Sequence, residues 1–257
     1  MVFDKKYDNT SVFSPENLLR EARRQKSLNY FEVPKICVLD PDGDIVKWLK
    51  NSNLIQKEAD WACYHTELYT FKYDEITYGI IGCAVGASFA VLVAEELFVS
   101  GCELLISVTS AGQILPIDDP PYFVLIEKAL RDEGTSYHYL PPSDFIHISP
   151  KMLSILNDNF SNQIKIHYGS SWTTDAPFRE TASDIEHCKN LGIATVEMEA
   201  AALYAFSEAK KKAVVCFAHV TNQMACQKGD FEKGEANGSL DALKVIEFTA
   251  NSFMTQL

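Results

Sequence analysis

The chain has 257 residues, 47% hydrophobic and 23% charged, enough for one sizeable globular core. A net charge of −12 argues against a nucleic-acid partner, whose phosphate backbone calls for a basic face, although it leaves room for a small anion held by local donors. There is no apolar N-terminal segment and no run of about 18 apolar residues, so the sequence predicts neither export nor a membrane span.

Seven cysteines (Cys37, Cys63, Cys83, Cys102, Cys188, Cys216 and Cys226) form no C-x-x-C pair. They read as reduced thiols in a cytoplasmic protein, with no metal site. Residues 1–30 read as an N-terminal extension with a short helix, and residues 31–257 as one α/β domain.

In chain order, Ser14-Pro15-Glu16 starts a helix that runs to about Lys26, with a capping serine and proline at the first helical position. Lys35 to Leu39 is a buried strand ended by the turn Asp40-Pro-Asp-Gly43, and Ile45 to Leu54 has helical spacing. Leu68–Tyr73 and Ile76–Ile81 flank Asp74-Glu75 as a hairpin. Gly82-Cys-Ala-Val-Gly86 opens the helix Ala87 to Val99 and offers backbone N–H groups to an anion or hydroxyl, without the spacing of a dinucleotide site. Leu104 to Val108 is a buried strand ending in the small residues Thr109-Ser110-Ala111-Gly112.

Tyr122 to Ala129 reads as strand, Pro150 to Asn159 as helix, Gln163 to Tyr168 as strand and Gly169 to Phe178 as a loop carrying Trp172. Arg179 to Asn190 reads as helix. A short strand, Gly192 to Val196, then leads into Val196-Glu-Met-Glu199-Ala-Ala-Ala-Leu-Tyr-Ala205, an alanine-rich helix with two acids at its mouth and lysines at its far end. Two carboxylates at a strand-to-helix junction, inside the most apolar third of the chain, point to a site rather than to capping alone. Ala213 to Val220 is a strand ended by Thr221-Asn222-Gln223, with His219 read as structural, and a last helix runs from Gly238 to Met254. Buried strands alternating with helices predict a mostly parallel sheet covered on both faces.

Over roughly residues 36 to 250 the chain resembles the nucleoside phosphorylase superfamily, in its purine nucleoside and uridine phosphorylase branch. Val196-Glu-Met-Glu-Ala-Ala resembles the branch's ribose-binding motif, Ile106 to Pro116 its central strand and anion loop, and Gly169 to Phe178 its base-stacking loop. Val220-Thr-Asn222 sits where the family ends the strand that carries its acid.

The resemblance implies a single-domain, three-layer α/β/α fold with a mixed, mostly parallel sheet. It also implies cleavage of the N-glycosidic bond of a purine or pyrimidine nucleoside, by default with phosphate as co-substrate and no cofactor. The assembly it implies is a homo-oligomer built from dimers. Glu199 would accept the sugar hydroxyls and stabilise a cationic sugar, and Met198 would form the floor beneath the ribose. Asn222 would hydrogen-bond the leaving base, though an amide cannot donate a proton to it as an acid would. Ser110, Trp172, Phe178, Arg179 and Glu197 would complete substrate binding.

The chain departs from the family at the anion. The phosphate-binding arginines are matched by Ile45, Ser107, and Tyr64 or His65, and the glycine of the first phosphate turn by Pro41. Either Arg20, Arg23, Arg24 or Arg179 substitutes, or water replaces phosphate and the protein is a nucleosidase. A third alternative is a nucleoside-binding protein without turnover.

Overall fold

A computed structural model describes residues 5–156, 166–224 and 229–256. The elements, in order, are α1 (Pro15–Lys26), β1 (Ile36–Asp40), α2 (Asp44–Asn51), β2 (Ile55–Lys57), β3 (Tyr69–Tyr73), β4 (Ile76–Gly82), α3 (Ala87–Val99), β5 (Leu104–Gln113) and β6 (Tyr122–Asp132). They continue with β7 (Phe145–His147), α4 (Pro150–Leu156), β8 (Ile166–Thr174), α5 (Ala182–Asn190), β9 (Thr195–Glu197), α6 (Ala200–Lys210), β10 (Ala213–Asn222) and α7 (Ser239–Met254).

Most of these fall where the sequence places them, because their ends carry strong local signals. Ser14 Oγ accepts from Asn17 N at 3.3 Å with Pro15 following, and Ser27 closes α1 in the left-handed region at φ 56°. The short strands β2 and β7 escape sequence reading, being three residues each. The expected helix from Arg179 begins only at Ala182, after a tight turn over Pro177–Arg179, and Thr181 caps it in a reciprocal box with Asp184. Residues 157–159 of the expected fourth helix and 163–165 of the expected strand lie outside the described residues.

The strands form one mixed sheet among the described residues. Helices α2, α4 and α7 pack together, as do α1, α3 and α6. With the sheet they make the three-layer α/β/α fold that the sequence predicts. One wing runs β5–β1–β4–β3–β2, parallel as far as β4. The other wing closes on itself: β5 pairs parallel with β10, β10 antiparallel with β6, β6 parallel with β8, β8 parallel with β9, and β9 antiparallel with β5.

This closure gives β5 two different neighbours along one edge. Its first half, Leu104 to Ser107, pairs with β1; its last residues, Gly112 and Gln113, pair with β9. Between them, residues 108–111 have no strand partner on that edge among the described residues. Such a split at the carboxyl ends of parallel strands is where open α/β sheets bind ligands.

Helix α6 is buried from Ala200 through Ser207, which explains its alanines: small side chains let it lie against the closed wing and against α3. Tyr204 anchors it. Its hydroxyl donates to Ile126 O at 2.6 Å and accepts from Cys216 N at 3.1 Å, joining β6 and β10 through a fully buried side chain. Tyr204→Phe leaves both backbone groups without partners. It is expected to lower unfolding stability by about 1–3 kcal/mol, read as a lower urea midpoint at unchanged m-value.

Candidate functional site

Glu197 ends β9 and Glu199 stands at the N-terminus of α6. The sequence predicts substrate contact for both acids, but the structure divides their work. Glu197 is buried, and its Oε1 accepts from Ser171 Oγ at 3.2 Å and Thr173 Oγ1 at 2.5 Å. Its Oε2 accepts from Glu199 N and Ala200 N, each at 2.7 Å. Thr173 Oγ1 also takes Ala201 N at 3.0 Å. The first-turn amides of α6 are thereby consumed from within, and Glu197 caps the helix with both oxygens engaged. Burial pushes its carboxyl up, and these donors oppose the rise.

Glu199 remains the acid free for a ligand. Its Oε1 accepts from Gly86 N at 2.7 Å. Its Oε2 is buried without a hydrogen-bond partner among the described residues. The glycine-rich turn that the sequence offers to an anion thus holds an internal one, Glu199. Loss of water pushes the Glu199 carboxyl from an ordinary 4.5 up to about 8. The negative charge of Glu197, and less strongly that of Asp42, adds to the rise, while the Gly86 N–H and the Thr109 hydroxyl act against it.

The split in β5 brings the anion-loop residues to the same place. Ser110 N donates to Asp42 Oδ2 at 2.7 Å. Asp40, Asp42, Asp44, Ile45, Thr109, Ser110 and His219 line a cavity of about 20 Å³, on the scale of one or two waters. Asp40 caps α2, accepting from Gly43 N at 3.1 Å and Val46 N at 2.9 Å, and burial pushes its carboxyl up to about 7. Lys233 reaches in from the segment after β10, with Nζ 2.5 Å from Asp44 Oδ2 and 3.8 Å from Asp42 Oδ1. Asn237 Nδ2 also donates to Asp44, at 3.2 Å.

His219 stacks on Phe123 with ring centroids 4.6 Å apart. Burial first, then the Lys233 charge, lowers it to about 4, so it is neutral near pH 7. It presses against Gly238, where a Cβ would come within 2.1 Å of Cε1, so only glycine fits there.

At the other end of the site, Asn222 is the last residue of β10 and is buried. Its Oδ1 accepts from Met224 N at 2.9 Å, and its Nδ2 donates to Thr221 Oγ1 at 3.1 Å. A Cβ on Gly112 would lie 3.5 Å from Asn222 Oδ1 and 3.2 Å from Val196, so Asn222 approaches the strand that leads into the two glutamates. Met198, between them, is partly exposed.

Trp172 is not on a loop. Strand β8 pairs with β6 and β9 through this region, and Ser171 and Thr173 point to Glu197 while Trp172 takes the opposite face. The small hydroxyl residues that read as loop are there to satisfy a buried carboxylate. The indole packs with Ile114, Cys188, Ile193 and Val196, and its Nε1 donates to Asp132 at 2.9 Å. With Arg179, His187 and Thr174 it lines a separate cavity of about 390 Å³ that does not include Glu199. Phe178 is wholly exposed in the single chain.

Nor do the surrogate arginines reach the split of β5. Arg20 and Arg24 pair with Glu21, Arg23 lies over the Tyr30 ring, and α1 packs beside Val99 at the far end of α3 from Gly86. That end is about 20 Å away along a 13-residue helix. Sequence reading misses Asp42, Lys233, Ser171 and Thr173. Of these only Asp42 had a local signal, its turn Asp40-Pro-Asp-Gly43, and that signal speaks of a turn rather than a site.

A model of the phosphorylase superfamily matches residues 35–250. The chain is 23% identical over 216 residues to uridine phosphorylase of Thermococcus kodakarensis, covering 75% of each. It is 29% identical over 153 residues to an uncharacterized protein of Acanthamoeba polyphaga mimivirus, spanning 60% of that protein and 60% of this chain. Among solved structures it resembles purine nucleoside phosphorylase of Toxoplasma gondii, with TM-score 0.72 and 17% identity over 88% of this chain and 93% of that one. It also resembles the 5′-methylthioadenosine/S-adenosyl homocysteine nucleosidase of Campylobacter jejuni, with TM-score 0.65 and 18% identity over 84% and 98%. At these identities the solved structures attest the fold.

Glu199 gives the site a measurable pH signature. Its folded pKa lies above the unfolded one, so its contribution is fully present below about 4.5 and is lost as pH rises to about 8. Glu199→Gln, which cannot ionise, is therefore expected to gain on wild type through that window by a few kcal/mol, with the gap level above it. Urea unfolding of both proteins at about pH 5, 7 and 9 reads it; a gap independent of pH would refute the assignment.

Proposed function

The chain belongs to the phosphorylase superfamily, and on that footing we propose that it cleaves the N-glycosidic bond of a nucleoside. One observation carries the reading: among the described residues, the Glu199 carboxylate has one oxygen fixed by Gly86 N and the other buried without a partner at hydrogen-bond geometry, with the Thr109 hydroxyl near enough to act on its charge. A buried polar atom left open is costly unless a ligand completes it, and a ribose hydroxyl donates what Oε2 lacks. As the C1′–N bond breaks, its electron pair leaves with the base and the sugar becomes cationic. An acceptor oxygen then bonds C1′, and the acceptor's proton ends on the base. Positive charge on the sugar favours ionised Glu199, so the carboxylate holds the transition state more tightly than the neutral nucleoside. Met198 floors the sugar, and the Asn222 amide hydrogen-bonds the base. Bond by bond, the reaction needs no cofactor.

Phosphate is the acceptor by family default. Water is the second reading, and it is favoured by the buried, uncharged Ile45 and Ser107 and by the three aspartates lining the small cavity. Trp172 and Arg179 line the separate 390 Å³ cavity and are not assigned to the base; the assembly is proposed to be a homo-oligomer built from dimers that covers the exposed Phe178.

Glu199→Gln is expected to lower kcat/KM by at least about a hundredfold with the fold intact, a loss of about 2.7 kcal/mol in transition-state stabilisation. Kinetics within threefold of wild type would remove Glu199 from the site. Incubation with a panel of purine and pyrimidine nucleosides, with and without phosphate, is expected to release free base. Binding of a nucleoside without release of base would make the protein a binding module instead.

A further inference from the structure

We propose that Asp42 is a built-in anion: its carboxylate occupies the place that a phosphate co-substrate would take and so sets the acceptor preference toward water. The proposal deepens the reading of the Glu199 site and rests on it. Its starting point is the unpaired edge of β5. Backbone N–H groups on an open strand edge beside a ligand site are natural anion donors. The Ser110 N–H on that edge is already taken, by Asp42 Oδ2 at 2.7 Å.

A cation could still have favoured phosphate, and the structure does bring one, Lys233. Its ammonium is engaged by two carboxylates, 2.5 Å from Asp44 and 3.8 Å from Asp42. Both aspartates are carried close together, Asp42 on the turn that follows the buried cap Asp40 and Asp44 at the first residue of α2. A phosphate dianion entering here would meet two acids with one lysine between them, lose its hydration and find the Ser110 N–H occupied. Water meets none of these penalties, and the cavity of about 20 Å³ suits it. The Asp42 charge also acts, weakly, on Glu199, in the direction of raising its carboxyl.

The turn that carries Asp42 makes its effect specific. Gly43 adopts φ 76° and packs against Cys83 Sγ, where a Cβ would come within 2.7 Å. The backbone from which the Asp42 carboxylate reaches Ser110 N is thus set by a turn that only glycine can make.

The test compares wild type with Asp42→Asn, which keeps an oxygen for Ser110 N and removes the charge, and with Asp42→Ala, which removes both. Binding of inorganic phosphate is measured by titration calorimetry against sodium chloride at matched ionic strength, and ribose 1-phosphate is assayed separately. Both variants are expected to bind phosphate at least about tenfold more tightly than wild type. They are also expected to divert products toward ribose 1-phosphate. If Asp42→Ala does not fold, Asp42→Asn alone carries the comparison. Wild type binding phosphate as tightly as Asp42→Asn, or turning over only with phosphate, would overturn the proposal while leaving N-glycosidic cleavage standing. A wild type that cleaves no nucleoside, beside an Asp42→Asn that gains phosphate affinity, would remove the activity and keep the role of Asp42.

Discussion

A buried carboxyl group at the start of α6 governs the arrangement of the site. Glu197 brings its carboxylate into a region without solvent, and four donors, from Ser171, Thr173 and the first amides of the helix, surround it. An unpaired charge at that depth would cost several kcal/mol. Strands β8 and β9 and helix α6 must therefore keep one mutual geometry. That geometry fixes the backbone of Glu199, and with it the direction of the one carboxylate left for a ligand. Gly86, from the far side of the sheet split, then sets its rotamer through a single hydrogen bond.

Two acids two residues apart thus end with opposite duties, and the sequence alone could not divide them. Both sit in the first turn of a helix, and both fit the preference for anions there. The difference arises from β8, about 25 residues upstream, whose hydroxyls face Glu197 and not Glu199. Those same hydroxyls misled local reading: Gly169-Ser-Ser-Trp-Thr-Thr has the composition of a loop, yet it is a strand whose polar residues serve a buried partner. Elements with their own punctuation were legible to the residue. Helix α3 begins and ends where its glycine turn and apolar run place it, and α1 follows its serine–proline start. The closure of half the sheet was not legible, because pairing of β5 with β1, β9 and β10 is a matter of long-range register.

The same limit explains the anion end. Missing arginines were visible as Ile45 and Ser107, and the structure shows both side chains buried. What stands in their place was not visible. Lys233 lies 189 residues from Asp44 in sequence, and nothing around it marks it as a partner. Arg20, Arg23 and Arg24 drew attention by charge alone, yet charge on a helix face is spent on near neighbours, here Glu21 and Tyr30.

The charges around the split form a graded set. Glu199 faces one neighbouring acid that is saturated, Glu197, and one that is held by a strand-edge amide and shared with a lysine, Asp42. Each neighbour makes ionisation of Glu199 harder in the empty site, and a cationic sugar would reverse that bias at the moment of bond cleavage. Acids that look like a liability around a phosphate are favourable around an oxocarbenium-like sugar, because their field has the right sign for the transition state and the wrong one for the dianion. On the proposed reaction, a site with Ile45 and Ser107 in place of arginines and with Asp42 and Asp44 close by gives up affinity for phosphate while favouring the charge that develops on the sugar.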